Sequence, residues 1–372
     1  MIAQADLKEL IKECAFIGDV DRSVALAAML TVVLRGAFTV APLFLFSKPA
    51  ARTGGSYLVK IISTLALGRD AIPLNVSDDP KELVKELSAA AYEAQPILNL
   101  NNLNFDLKSS LLAQMITEGE VNIRPLGKNT ETVKCDCRAM TVLTNGNNAS
   151  LIGELIYRAM TSRLDTKMER PETKVYKGDP LAMIKRNRSK YLAGIFTIVR
   201  AFMNERPNVD VEHINGLEEW SRFVQAPLVW LGEADPAKSQ EDAHARDPER
   251  GALRTRVLAV VKYFYHAARF TAAQVYAEAM RMVDGGSGRM VPAAPELLDA
   301  FVNADGRTLS AKSIGKWLSK DENRIVDGFS IEIARRSDQG SGNDYVVMPR
   351  PERANEPAEP SEASPEGEDE PF

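Results

Sequence analysis

The run FSKPAARTGGSYLVKII, residues 46–62, follows the apolar stretch VALAAMLTVVLRGAFTVAPLFL and has the outline of a phosphate-binding loop. Such a loop sets small residues between a strand and a helix, so that backbone N–H groups and the positive end of the helix meet an anion. The full pattern, G-x-x-x-x-G-K-[ST], adds a lysine for the β/γ-phosphates and a hydroxyl for the shell of a magnesium ion. Gly54, Ser56 and the helix start after a strand are kept here, but Gly55 stands at the lysine position. Taken alone, ARTGGS reads as a Gly-rich turn.

The downstream order adds chemistry to that turn. PILNL (96–100) reads as a buried strand ending in Asn101-Asn102, where a nucleotide hydrolase would place an acidic residue for magnesium. A second strand ends in TNGNN, whose Asn145 and Asn147 are polar groups able to orient an attacking water. GELIYRAMTSRLD follows, with Arg158 and Arg163 available to reach a phosphate across a subunit interface. Each feature alone is a capped strand end or a surface charge; their sequence together points to a nucleotide site.

The elements that must hold these residues alternate from about 19 to 165, apolar strand against amphipathic helix, which predicts α/β architecture. APLFLF (41–46) is a strand, 54–67 a helix, and PKELVKELSAAAYEA (80–94) a helix begun by Ser77-Asp78-Asp79-Pro80. AMTVLTN (139–145) is the next strand, and VNIRPLGKNTETVKC reads as a hairpin. Residues 180–232 read as helical, and 233–250 as a polar linker with some helical character. Beyond lie helices at 252–267, 271–283, 295–303 and 309–319, then FSIEIARR and DYVVM around the loop SDQGSGN. Helices followed by a two-stranded ribbon are the outline of a winged helix. Lys312, Lys316 and Lys320 lie opposite Leu309, Ile314 and Leu318, and Arg335 and Arg336 sit at the wing tip. Cations in that arrangement suit duplex DNA, while Trp317 reads as core.

Composition sets outer limits. The chain has 372 residues, 45% hydrophobic and 26% charged, ordinary for a globular protein of two or three domains. The opening MIAQADLKELIKECAFIG carries charges throughout and reads as an amphipathic helix rather than a signal segment. The apolar stretch Val24 to Leu34 is too short to span a bilayer. Cys14, Cys135 and Cys137 give no disulfide framework, and Cys135-Asp136-Cys137 reads as a strand edge rather than a metal site. The tail from Arg350 holds eight acidic residues and two arginines, so the formal charge of −5 leaves residues 1–349 at +1. With five prolines and almost no apolar side chains, the tail is expected to be disordered.

The chain resembles the carboxy-terminal ATPase region of primase–helicase-like replication proteins of prophages and integrative elements, relatives of AAA+ and superfamily III helicases. The resemblance runs from Asp21-Arg22-Ser23 to Met348 and is carried by APLFLFSKPAARTGGS, LNN (100–102), RPLG (124–127), TNGNN and GELIYR. RLDTKMERPE, WSRFVQAPLVWLGEADP (220–236) and LSAKSIGKWLSKDENRIVDGF extend it. It implies an α/β P-loop, AAA+-like core, a helical connector and a winged helix. The expected divisions are an N-terminal helix (1–18), the ATPase-like domain (19–200), the connector and linker (201–250), the winged helix (251–349) and the acidic tail (350–372). By ancestry, ATP would be held by Arg52, Thr53, Gly54, Gly55 and Ser56, and Mg²⁺ by Ser56 and Asn101. Asn101, Asn102, Asn147 and Arg158 would occupy catalytic positions.

Three departures cut into that inheritance: Arg52 for a family glycine, Gly55 for the lysine, and Asn101 for the Walker B aspartate. Loss of the lysine alone removes a charge pair worth roughly 4 kcal/mol at contact distance before desolvation. The resemblance therefore implies a non- or weakly hydrolysing replication subunit that binds DNA or forms oligomers, a hexamer among the states open, in a bacterial cytoplasm with element or host replication proteins and no membrane. The alternatives are an active helicase with a displaced cation, Arg52 or Lys48, Arg52 being the better placed by chemistry, or a protein that modulates a replisome. The family's primase domain is not read in this sequence, so polymerising activity is expected of another protein.

Overall fold

A computed structural model describes residues 2–124, 131–245, 247–286, 289–302, 306–336 and 342–350. The acidic tail beyond Arg350, most of RPLG and most of the SDQGSGN loop lie outside them. The chain divides into two compact units, Met1–Arg250 and Gly251–Phe372.

The first unit begins α1 (Ile2–Ile11), α2 (Asp19–Leu34), β1 (Leu43–Lys48), α3 (Gly55–Leu67), β2 (Pro73–Asn75), α4 (Pro80–Tyr92), β3 (Ile97–Leu103) and α5 (Ser110–Glu118). It continues through the hairpin β4 (Glu120–Ile123) and β5 (Val133–Asp136), then β6 (Thr141–Asn147) and β7 (Ala159–Arg163). Helices α6 (Pro180–Glu205), α7 (Glu218–Trp220), α8 (Ala226–Trp230) and α9 (Ser239–Ala245) complete it. Five strands form one parallel sheet in the order β2-β3-β6-β1-β7. This is a mixed α/β architecture, a parallel sheet with helices on both faces.

Strand alternation sorts the core into two layers. Phe44 and Phe46 of β1 face one cluster with α2, α3 and α6, while Leu43 and Leu45 face a second with α4 and α5. Both faces of β1 are thus apolar, as a buried parallel strand requires. Helix α4 starts where its signals place it: the Asp79 carboxylate accepts from the Lys81 N–H at 2.8 Å, and Pro80 needs no N–H there. The strands β2 and β7 were not expected from the sequence.

The carboxy-terminal end of the first unit is packed rather than loose. Trp220 is fully buried, and its indole N–H donates to the Thr31 hydroxyl of α2 at 2.8 Å. A π-type turn, Ser221–Gln225, joins α7 to α8. The polar stretch after 232 corrects the expected linker: Glu233 and Asp235 are buried. Lys8 and Gln4 of α1 donate to the Glu233 carboxylate, and Gln225 donates to Asp235.

The second unit has α10 (Pro248–Phe264), entering from the first, then β8 (Phe270–Thr271), α11 (Ala272–Met280), a hairpin of β9 (Met282–Asp284) and β10 (Met290–Pro292), α12 (Pro295–Ala300) and α13 (Ala311–Lys320). The ribbon β11 (Phe329–Arg335) and β12 (Asp344–Pro349) follows, and β8 pairs with β12 to give the order β11-β12-β8. Helix 271–283 of the sequence reading ends three residues early, because Met282 and Val283 pair with Pro292 and Val291. Val275, Leu297, Phe301, Ile314, Leu318 and Tyr345 are among its core residues.

Candidate functional site

The carboxyl ends of the parallel strands, where open α/β sheets place their ligands, bring the sequence-marked residues together. After β1 the chain turns through 49–54, with Arg52 at φ +63° and Gly54 at φ +106°, and enters α3 at Gly55. Only glycine adopts the second value without strain. The Thr53 hydroxyl donates to the Ala50 carbonyl at 2.7 Å and ties the turn to itself. Helix α3 has no side-chain cap, so its first N–H groups are left for another acceptor.

Ser56 points from the first turn of α3 toward the strand ends. Its hydroxyl donates to Asn145 Oδ1 at 2.9 Å and lies 3.4 Å from Asn101 Oδ1. Asn145 Nδ2 donates to the same Asn101 oxygen at 3.1 Å. These three neutral side chains form a closed network at the position where the sequence predicted magnesium. Asn145, 0% exposed, is its centre, and Asn147 is not part of it. The Asn147 side-chain oxygen is buried without a hydrogen-bond partner. Asn102 is exposed at φ +59° and lines the adjoining cavity. Strands β3 and β6 can close this tightly because residue 146 is glycine: a Cβ there would run into the Leu103 carbonyl oxygen.

A cavity of about 600 Å³ opens beside the loop, within the range of small-molecule sites. Lys48, Arg52, Thr53, Gly54 and Ser56 line it from the loop, with Tyr57, Ile61, Leu164, Tyr176 and Met183 as apolar and aromatic lining and Glu9, Lys12 and Glu13 as further charged groups. Cys14 also borders it, its thiol pushed up to about 12 by burial and therefore protonated at neutral pH. Glu13, at the rim, is held below the usual carboxylate range by the Lys177 N–H, and by that of Gly178.

The candidate cations separate clearly. Arg52 is exposed at the cavity mouth. Lys60 is ion-paired to Asp70 at 2.9 Å. Arg163, expected to be free for a neighbouring subunit, is held by the buried Asp21, which accepts its backbone N–H at 2.7 Å and faces its guanidinium at 3.3 Å. Arg158 pairs with Glu154 at 3.1 Å and lines a different cavity of about 430 Å³ with Lys108 and Ser109. Asp106 does not replace Asn101; Ser150 donates to it away from the network. Lys48 is 6% exposed, and burial alone holds its ammonium below the usual lysine range.

A magnesium ion does not fit the strand ends as built. Asn101 and Asn145 bring no charge, and the nearest hydroxyl, Ser56, is neutral as well. Among the described residues no group of three or more His, Cys, Asp or Glu side chains could hold a metal ion. At the other side of Ser56, the uncapped start of α3 and Lys48 border the cavity together, a donor set whose chemistry suits an anion.

In the second unit, Lys312, Lys316 and Lys320 are exposed on one side of α13, opposite the buried Ile314 and Leu318. Arg335 and Arg336 are exposed at the end of β11, with Glu322 3.4 Å from Arg336. Trp317 is turned inward, edge-on to Phe301 at 5.4 Å.

Neither a scan of protein-family models nor a search of curated proteins gives a match. Two solved structures are similar over most of the chain. One is the C-terminal region of NrS-1 in its apo A form, 12% identical at a TM-score of 0.37, over 89% of this chain and 75% of that one. The other is SCCmec type IV Cch, described as an active helicase, 12% identical at a TM-score of 0.35, over 91% and 68%. Likenesses this distant carry no residue role across. Among the described residues no helix is long and apolar enough to cross a membrane.

Proposed function

We propose that this chain is a non- or weakly hydrolysing relative of the mobile-element replication ATPases, acting as a DNA-binding subunit. One observation carries the reading: Ser56, Asn101 and Asn145 satisfy one another where a hydrolase needs a negatively charged metal ligand. Phosphoryl transfer depends on positioning and on neutralising charge, and a neutral network supplies neither a metal ligand nor a base. The phosphate loop and its cavity would hold a nucleotide through Lys48, Thr53, Gly54 and the N–H groups of α3, as a ligand rather than as a substrate. DNA would be held by the second unit, read as a winged helix, with Lys312, Lys316 and Lys320 on the groove-facing helix and Arg335 and Arg336 on the wing. Oligomer formation through Arg158 belongs to the same reading and is testable by sedimentation.

The test is ATP turnover with and without duplex DNA, alongside DNA affinity measured against salt concentration. Turnover stays at background, and duplex binding persists without nucleotide. A Lys312→Glu/Lys316→Glu variant loses about two from the slope of log affinity against log salt. DNA-stimulated turnover, or an unchanged slope, overturns the reading.

A further inference from the structure

Lys48 is the unexplained charge of this molecule. It ends β1 on the same face as Phe44 and Phe46, the face that carries α3. Its side chain runs over the start of α3: a Cβ at Gly55 would sit 3.4 Å from Lys48 Cδ. The residue is 6% exposed, and its ammonium makes no hydrogen bond or ion pair with any described residue. Its stem is buried, and burial holds the ammonium below the usual lysine range. It lines the cavity that Gly54 and Ser56, at the uncapped start of α3, also border.

Two independent features therefore face one volume: a helix N-terminus of a 13-residue helix and a buried, unpartnered cation. Gly55 is what allows the second. A longer side chain there would occupy the path of the Lys48 stem, so the glycine and the lysine form one arrangement. The strand-end network beside Ser56 brings no anionic metal ligand, because Asn101 and Asn145 are neutral. The carboxylates bordering the cavity, Glu9 and Glu13, are at α1 and the segment after it, and Glu13 already accepts the Lys177 and Gly178 N–H groups.

We propose that Lys48 is the phosphate-binding cation of this site, and that with the N-terminus of α3 it takes the diphosphate or triphosphate of a nucleotide without a divalent cation. This rests on reading the first unit as a nucleotide-binding domain. The lysine approaches from the strand side of the loop instead of from the helix, and supplies the positive charge that a metal ion would share. Tyr57, Ile61 and Tyr176 of the same lining would meet the remainder of the nucleotide.

The experiment is calorimetric titration of the full chain with ADP, ATP, pyrophosphate and adenosine, each in EDTA and in Mg²⁺. ADP binds in EDTA about as well as in Mg²⁺, and pyrophosphate binds while adenosine is much weaker. Lys48→Met weakens ADP by about tenfold or more, the loss of one charge-assisted contact. Lys48→Arg retains binding. Without ligand Lys48→Met melts no lower than the native protein, which shows that the loss is not unfolding. If ADP needs Mg²⁺, or if Lys48→Met binds normally, the proposal is overturned while the non-hydrolysing reading stands. If instead ADP binds in EDTA through Lys48 but DNA stimulates turnover, the functional reading fails and this site stands.

Discussion

The two ends of the crevice above the sheet treat polar groups in opposite ways. At the β3–β6 end, Ser56, Asn101 and Asn145 are neutral and bonded to one another. At the β1 end, α3 has no side-chain cap and Lys48 has no hydrogen-bond or ion-pair partner among the described residues. Closed networks stabilise a fold, and open donors await a ligand. On the proposed reading, the crevice has kept an anion-binding side while its other side is structural.

Charge placed at the closed end gives the largest expected effect. Asn145→Asp would replace the amide that donates to Asn101 Oδ1 with a second acceptor at a fully buried position, and the lost donor is expected to cost about 2 kcal/mol. Urea unfolding checks it; a cost near zero would mean that the network is not closed. Asn101→Asp is milder, since the Ser56 hydroxyl and the Asn145 amide are both donors toward that position. It should confer a magnesium response: at ten times its dissociation constant the ion adds about 1.4 kcal/mol to the variant's stability and nothing to the native protein. Thermal melts with and without Mg²⁺ decide this, and an equal response in both proteins would erase the distinction between the two ends.

The smallest effect tests the open end. The folded-state pKa of Lys48 is depressed by burial below its ordinary 10.5. In the interval between the two values the unfolded chain binds more protons than the native one, so stability rises with pH there. Lys48→Met removes that rise, and melting curves across the alkaline range measure it.

Legibility in the sequence followed local rules. Helices α3 and α4 were readable because Gly54 and Asp79-Pro80 mark their starts by chemistry that needs no tertiary context. Strand β7 was not, because Ala159–Arg163 has neither turn signals nor a long apolar run, and its partner β1 lies more than a hundred residues away. The hairpin β9–β10 was absorbed into a predicted helix for a similar reason: its strands are three residues each and only pairing defines them. Within the site, guanidinium chemistry favoured Arg52 as the replacement cation. Period-two alternation along LFLFSK would have favoured Lys48, because it continues the Phe44–Phe46 face toward α3. Asn145 was named beside Asn147 as a polar strand end; the two share a face of β6, and Asn145 is the one that bonds to Ser56 and Asn101.

The far end of α3 is fastened as firmly as its near end is free. Arg188 of α6 donates through Nε to the Leu65 carbonyl at 2.8 Å and through a second nitrogen to that of Ala66, beside a break in helical geometry at Asn187. A cation there satisfies the last carbonyls of α3 and complements the negative end of its dipole. In mechanical terms α3 is a cantilever, clamped at one end and carrying its load at the other. Force applied by an anion at Gly54 is resisted by α6 through that clamp, and the compliant member is the six-residue turn before the helix rather than the helix itself.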